Sequence, residues 1–441
     1  MNSKFKSAVS TLYEMRTFLI LWLTQAFSSL GSGMTSYALL IWSYTQEGSA
    51  LRTALLGVSS YAPYVLCSIF AGALSDRWDK RKTMLVCDLL AAMTTVCTLV
   101  LFKLELLEVW HLYVLNALNG LMNTVQSPAS EVATTAVLPR KYYQKAGGLQ
   151  QLSGSLNGIL TPMMAMALIA FVGMEGVFLF DLITFVAAFL VLLVFIRIPE
   201  REKDSSQKEP MMQSVKAGLA FLREKRGVFT LILFLAAINL VASMYNAALP
   251  AMMLSREGGS EMAMGVLNTF TSVTMLVGSL IASLLPAPKS RVRVICWTLL
   301  LSMSTENFCL AFGRTLPVWC IGAFLGWIAI PLLNTNMNAV MRLNIPQHIQ
   351  GRVYAARNSL QFFTIPLGYM VGGAAVDYVF EPLMALQSEG SLLTHLFGVG
   401  KGSGAACFFA VLGVIGVLVC ITFRRNKYLR AMQAAELKST T

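Results

Sequence analysis

Twelve apolar runs, each about as long as a bilayer is thick, decide what this chain can fold into. A hydrocarbon core takes roughly 20 apolar residues in helical form. Runs of that length fall at 17–44, 51–74, 83–103, 109–133, 147–171 and 177–196, then at 228–252, 263–285, 292–312, 316–341, 354–376 and 404–423. Lipid offers no hydrogen bonds to an open backbone, so such runs cross it as helices that satisfy their own N–H and C=O groups. The expected fold class is an all-α polytopic membrane protein with twelve transmembrane helices. Composition agrees, with 56% hydrophobic and 13% charged residues where a soluble domain carries about a quarter charged.

The longest polar stretch, opening with RIPEREKDSSQKEP, divides the runs six and six. It predicts an N-terminal half over 1–196, a cytoplasmic linker over 197–227, and a C-terminal half with a basic tail over 228–441. In the linker, Met211, Val215, Leu219 and Leu222 share a helical face while Lys216, Arg223, Lys225 and Arg226 lie elsewhere, which suits a helix on the membrane surface; an ordinary solvated helix is the alternative. The N-terminal run has Lys4, Lys6 and Arg16 before it but is too long for a signal peptide and lacks a small-residue cleavage site. The eight cysteines sit inside apolar runs with no C-x-x-C spacing, so they read as packing residues.

The net charge of +12 is explained by where the charges fall. With both termini cytoplasmic, 29 of the 34 Lys and Arg residues lie on the inside, and only Arg52, Lys103, Arg256, Arg314 and Lys401 outside. That is the positive-inside asymmetry, and it leaves no basic excess that calls for a nucleic-acid partner.

Between the second and third runs the chain reads Gly72-Ala-Leu-Ser-Asp76-Arg77-Trp78-Asp79-Lys80-Arg81-Lys82. This resembles the signature of the major facilitator superfamily, G-x-x-x-D-R-x-G-R-R, with Asp79 in place of the second glycine. A bare topogenic basic loop is the alternative, but it would require neither Gly72 nor Asp76 at these spacings. The resemblance implies the major facilitator fold, two six-helix halves related as a parallel repeat. An echo runs through the residues: Leu138-Pro139, a basic turn and a helix with Pro162 return as Ile345-Pro346, a turn with Arg352 and a helix with Pro366. The signature loop would act as a conformational latch. Gly72 permits close helix approach, Asp76 can meet the N-terminal end of the eleventh helix, and Arg77, Lys80 and Arg81 can pair with carboxylates of the other half. GALSDRWDKRK followed by Asp88, FLFDLITF with Asp181, and IPQHIQGRVYAARN are similar to the macrolide-efflux branch of drug:proton antiporters. There are departures. The fourth run, NALNGLMNTVQSPAS, lacks the arginine of many drug:proton antiporters, and the fifth has Gly154, Gly158 and Pro162 without the strict glycine-proline pair. The second-half counterpart of the signature, LLPAPKSRVR, has Pro286 where an aspartate would stand.

Polar side chains inside hydrocarbon usually face a bundle interior or a water-filled cavity. Gln25, Ser29, Ser32 and Ser36 follow helical steps along one face of the first run, and Asn116, Asn119, Asn123 and Gln126 along one face of the fourth. Asn157, Asn239, Asn246, Asn334 and Asn338 add to this set from the fifth, seventh and tenth runs. In the facilitator arrangement the first, fourth, seventh and tenth helices surround a central cavity; helix-to-helix hydrogen bonding is the alternative role for each amide. Such a cavity is polar but uncharged, with Phe27, Tyr37, Tyr61, Tyr64, Met122 and Tyr245 as apolar surfaces, and suits a bulky amphipathic molecule better than a sugar phosphate or dicarboxylate. Four carboxylates, Asp88, Glu131, Asp181 and Glu306, lie in or at the ends of the runs. A carboxyl group whose surroundings change with conformation can take up and release a proton, and Glu131, Asp88 and Glu306 are the expected coupling candidates; salt bridges to nearby basic loops are the alternative for the first two.

Enzymes and pumps are disfavoured. His111, His348 and His395 all fall near loops with no metal-binding pattern, and GVGKGSG at 398–404 has His395 where a phosphate-binding loop needs glycine. The expectation is a secondary active exporter of a drug or macrolide-like compound in the cytoplasmic membrane, working by proton antiport with alternating access. It would need no cofactor or metal; its partners would be lipid, the small-molecule substrate and protons, and it would act as a monomer. Export of an endogenous siderophore or non-ribosomal peptide is one alternative, and a non-transporting receptor or structural role another.

Overall fold

The computed structural model describes residues 2–77, 79–139, 142–195, 219–286, 288–346, 350–388 and 390–439. Among these every regular element is helical. The first half holds α1 (Asn2–Glu47), α2 (Ala50–Arg77), α3 (Lys80–Lys103), α4 (Val109–Ala136), α5 (Tyr143–Val172) and α6 (Met174–Val194). The second holds α7 (Arg226–Ser255), α8 (Glu261–Leu284), α9 (Arg291–Phe312), α10 (Leu316–Trp327), α11 (Ile330–Asn344), α12 (Gln350–Phe362) and α13 (Thr364–Ala375). A π-helical turn, Val376–Phe380, then leads into α14 (Glu381–Ala385), α15 (Leu392–Phe397), α16 (Ser403–Arg425) and α17 (Lys427–Ser439).

Nine stretches of described helix are long and apolar enough to cross a membrane. The other three predicted runs are occupied by α1, α2 and α4, of 46, 28 and 28 residues, and α1 and α4 are the two that carry the polar stripes. The tenth run is interrupted between α10 and α11, and the eleventh is pieced from α12, α13, the π turn and α14. Polar residues set the helix starts. Asp79 caps α3 by accepting from the Lys82 N–H at 2.9 Å, and Ser260 caps α8 through Ala263 at 3.0 Å. The aspartate that departs from the superfamily signature thus takes a structural role as an N-cap.

The chain forms two compact units, Met1–Leu40 with Ala62–Lys208, and Ile41–Tyr61 with Glu209–Thr441. In the first, α1 is the common core element. Its Leu21 packs with Met84, Ala129, Ala133 and Leu192; Met15 and Phe18 pack with Leu138, Tyr142 and Ala146; Leu30, Met34 and Ala38 pack with Ala165 and Val177. In the second, α7 packs on α13 and α16, and α9 packs along α16. Phe234 stacks on Phe423 at 4.9 Å, and Tyr245 meets Phe409 edge-on at 5.3 Å. Dispersion contacts of this kind hold helices together in lipid, where no hydrophobic force acts between them. Where α8 meets the break after α10, a Cβ built on Gly278 would lie 2.2 Å from the Ile328 carbonyl oxygen, so only glycine lets the two backbones touch.

The second unit includes the end of α1 and the first part of α2. Those 21 residues lie inside the predicted first half, yet they pack with the helices of the second. The linker residues 197–218 lie outside the described part, Met211 and Val215 among them; Leu219 and Leu222 fall on a short helix, 219–224, with Leu222 fully buried.

Candidate functional site

The polar stripes are built as helical phase requires. On α1, Ser29, Ser32 and Ser36 are exposed and Gln25 is half-buried; on α4, Asn123 is exposed while Asn116, Asn119 and Gln126 are half-buried. Neighbouring helices brace them: Asn157 on α5 donates to Ser29 at 3.0 Å, and Thr94 on α3 donates to Asn119 at 3.2 Å. In the second unit Asn246 on α7 and Asn334 and Asn338 on α11 are exposed, whereas Asn239 is engaged, donating to the Gln361 carbonyl at 3.3 Å. These faces offer donors and acceptors but no charge. Phe27 is 52% exposed, but at about 100° per residue it stands on the opposite side of α1 from this stripe, on the apolar face it shares with Ile20 and Leu23. Tyr245 is not the expected apolar surface either: it is buried and spends its hydroxyl on Glu306.

Three embedded carboxylates are held by neutral donors. Asp88 on α3 is half-buried and accepts from the Gln126 amide of α4 and, at 3.5 Å, from the Gln25 amide of α1, so three residues singled out from sequence for two purposes meet in one cluster. Glu306 on α9 is 4% exposed and takes the Tyr245 hydroxyl at 2.6 Å and the Trp327 indole N–H at 2.7 Å on one oxygen. Asp181 on α6 is 3% exposed and receives three hydroxyls: Ser32 at 3.0 Å, Thr35 at 3.0 Å and Thr95 at 3.0 Å. Among the described residues the recorded ion pairs are Arg52–Glu47 and Lys103–Glu175, so neither involves any of the three. The side chain of Glu131 lies outside the described residues.

Of the signature loop, the side chains of Asp76 and Arg77, and the surroundings of Gly72, also lie outside the described residues. Arg81 makes its hydrogen bonds inside its own unit, to the Leu192 carbonyl at 3.3 Å and to that of Leu193. It thereby caps the C-terminal end of α6, where a carboxylate of the other half was the expected partner. Lys80 is half-buried beside it.

Around the π turn, the second unit holds a cluster that sequence reading passed over. Asp377, in the π turn, accepts from the Ser49 hydroxyl at 2.5 Å and from the Ala50 and Leu51 N–H groups at 2.9 Å each, all at the start of α2. Glu381 does the same for α16, accepting from Gly402 at 3.0 Å and Ala405 at 3.1 Å. A cavity of about 440 Å³ opens beside them, with Tyr44, Glu47 and Lys401 on its walls. Arg256, 5% exposed, ends α7 and ties three carbonyls together: Leu310 at 2.8 Å, Ala311 at 3.0 Å and Phe397 at 3.1 Å. Burial and the nearby Arg314 bring its guanidinium down to about 10, which still leaves it a cation at neutral pH. No local pattern marks these residues, because each acts on an element distant in sequence.

Relatives and folds agree with this architecture. The chain is 23% identical over 367 residues to macrolide efflux protein A of Streptococcus pyogenes, covering 82% of this chain and 90% of that protein. It is 25% identical over 360 residues to the multidrug efflux pump Tap of Mycolicibacterium fortuitum, covering 79% and 86%. Among solved structures, the nucleoside transporter NupG superposes with a TM-score of 0.65 at 12% identity, over 94% of this chain and 100% of that one. A bacterial homologue of the human lysosomal transporter Spinster gives 0.61 at 15%, over 96% and 94%; at such identities these likenesses show the fold. The profile of the transmembrane secretion effector family matches residues 7–396, and with the twelve-helix architecture this makes the chain a multi-pass membrane transporter of that family, within the major facilitator superfamily.

Proposed function

We propose that the chain exports a bulky, amphipathic, largely uncharged small molecule of the macrolide or multidrug type, in exchange for protons, with both termini in the cytoplasm. The observation that carries the substrate class is the pair of polar, uncharged faces: Ser29, Ser32, Ser36 and Asn123 in one unit, and Asn246, Asn334 and Asn338 in the other, all exposed on membrane helices. The amides of Asn123, Asn246, Asn334 and Asn338, if turned to lipid, would leave hydrogen bonds unmade, so these faces suit an aqueous route. They bind a ligand through hydrogen bonds, without a fixed countercharge. A phosphate or carboxylate cargo would call for arginine there.

Exchange for protons is supported by the three embedded carboxylates, which take no ion pair among the described residues, Asp88 and Glu306 among the expected candidates. An alternating-access cycle needs a group whose charge state differs between conformations, and an uncompensated acid is such a group. The efflux names of the macrolide and multidrug relatives point the same way on direction. The positive-inside asymmetry supports the orientation.

The test is everted membrane vesicles from cells expressing the full chain, with an imposed acid-inside gradient and a radiolabelled macrolide outside. Gradient-dependent accumulation, abolished by a protonophore, is expected, together with reduced macrolide susceptibility of the intact cells. Vesicles that accumulate no more than those from an empty-vector strain, across macrolides and lipophilic dyes, would remove this reading.

A further inference from the structure

The three embedded acids differ in one respect that matters for coupling. A coupling group must be shielded from bulk water and yet reachable by a proton. Asp88 is half-buried, so it stays in contact with its surroundings. Glu306 is buried, but one of its donors is an indole N–H, which cannot accept a proton and so cannot relay one, and the other is the buried hydroxyl of Tyr245. Asp181 alone combines burial with an exposed hydroxyl partner. Its Oδ1 takes the hydrogen bond of Ser32, a residue exposed on the polar face of α1.

We propose, building on the proton-antiport reading above, that Asp181 is the residue that carries the coupled proton, and that Ser32 is its relay. A hydroxyl both accepts and donates. A hydronium ion in the aqueous route gives its proton to the Ser32 Oγ as that hydroxyl passes its own proton to the Asp181 Oδ1. The serine is regenerated, one water is released, and the carboxylate becomes a neutral carboxylic acid. Release follows the same bonds in reverse.

The surrounding packing couples this step to conformation. Two of the three hydroxyls, Ser32 and Thr35, come from α1, and the third, Thr95, from α3. At this point α1 presents Gly31 to α6; a Cβ on it would lie 2.4 Å from the Thr184 Oγ1 and 2.9 Å from the Asp181 Cα, so α1 rests directly on the backbone of α6. A tilt of α1 away from this contact removes two of the three donors. An anion that loses its hydrogen bonds in an apolar interior is costly to keep charged, and protonation relieves that cost. Conversely, a protonated Asp181 holds α1 less firmly. Along the elements packed against it, α3 carries Asp88, two helical turns from Thr95, with Lys80, Arg81 and Lys82 at its start and Lys103 at its end, the last paired with Glu175 of α6 at 3.1 Å; α1 carries Glu14, Arg16 and Glu47 toward its ends and brings the hydroxyls of Ser32 and Thr35, and α5 that of Thr161.

The experiment uses the full chain, purified and reconstituted in liposomes, as wild type, Asp181→Asn and Ser32→Ala. Infrared difference spectra across a pH titration follow the C=O stretch of protonated carboxyl groups, and the same vesicles are assayed for radiolabelled-macrolide accumulation under a pH gradient and for counterflow exchange. We expect one titrating component of the band to be missing in Asp181→Asn, and its midpoint to move in Ser32→Ala. Gradient-driven accumulation in Asp181→Asn should drop, relative to its own exchange, to the level of protein-free vesicles. A monodisperse Asp181→Asn that keeps the full band or accumulates as wild type overturns the proposal. Should that variant fail to fold, Ser32→Ala with an unmoved midpoint and wild-type accumulation overturns it instead. A wild type indifferent to the pH gradient defeats the antiport reading itself, whatever the band shows; a responsive wild type matched by Asp181→Asn defeats the assignment of Asp181 alone.

Discussion

Replacing Asp377 with alanine removes three hydrogen bonds from the start of α2 in a single change. The Ser49 hydroxyl at 2.5 Å and the Ala50 and Leu51 N–H groups at 2.9 Å all converge on this carboxylate. Ser49 is itself the cap of α2, its Oγ accepting from the Arg52 N–H at 3.1 Å, so helix and serine are held in series. Hydrogen bonds to a charged group contribute about 1.5–3 kcal/mol each, and three would sum well above that. Asp377 is only half-buried, however, and lines the 440 Å³ cavity, where water can take up the two freed N–H groups. The lost helix cap then sets the scale at about 0.5–2 kcal/mol, with the helix-end charge adding up to about 1. A total near 2–3 kcal/mol is expected, which for a chain of this size is a fall of about 2–5 °C in melting temperature. The assay is fluorescence-detected melting of the detergent-purified protein, run as a double-mutant cycle with Ser49→Ala. Because the two side chains act through one bond, the double variant should melt above the sum of the single effects. Asp377→Ala melting with wild type, or strict additivity in the cycle, would refute the reasoning.

Reporter fusions after residues 80, 210, 290 and 430 should read cytoplasmic and those near 48, 175, 258 and 390 external; a cytoplasmic reading near 390 would break the twelve-helix topology. Asp76→Asn should slow transport of a macrolide probe in everted vesicles while leaving expression and membrane insertion near wild type, and unchanged transport would remove the latch role. Gly278→Ala, whose Cβ meets the Ile328 carbonyl at 2.2 Å, should cost about 1–3 kcal/mol through overpacking and show as a lower melting temperature. A Gly278→Ala protein as stable as wild type would mean that the α10–α11 break yields freely.

The spans were legible because lipid imposes one rule on every residue of a run. The observed α3, Lys80–Lys103, and α9, Arg291–Phe312, agree with the runs predicted at 83–103 and 292–312 to within three residues. The break after Trp327 and the π turn at Val376–Phe380 were not legible, since hydropathy is blind to a slip in helical register. Ser32, Asn119 and Gln126 could be placed on faces from their spacing. What they bond to could not, because Asp181 lies 149 residues from Ser32 and a single sequence carries no record of that pairing. Sequence points to Glu131, Asp88 and Glu306 ahead of Asp181 because it gives an acid's position along a run but not which hydroxyls surround it. Glycine at position 31 was the one local hint, as a residue that permits a backbone to approach.

The placement of residues 41–61 gives the molecule the character of a one-way domain swap. Exchange of an element between like units is a known route to tight assembly, and here the tip of the α1–α2 hairpin is lodged in the second unit, with Leu51 against Gly373 and Tyr61 stacked on Tyr369, while the first unit receives no segment from residues beyond 208 in return. A gene cut at the linker therefore yields two fragments of unequal fate. The second fragment lacks a piece of its own core, whereas the first carries a hairpin tip with nothing to hold it. Co-expressed fragments should rescue each other, and a synthetic peptide covering 41–61 becomes a competitor that could poison the rescue.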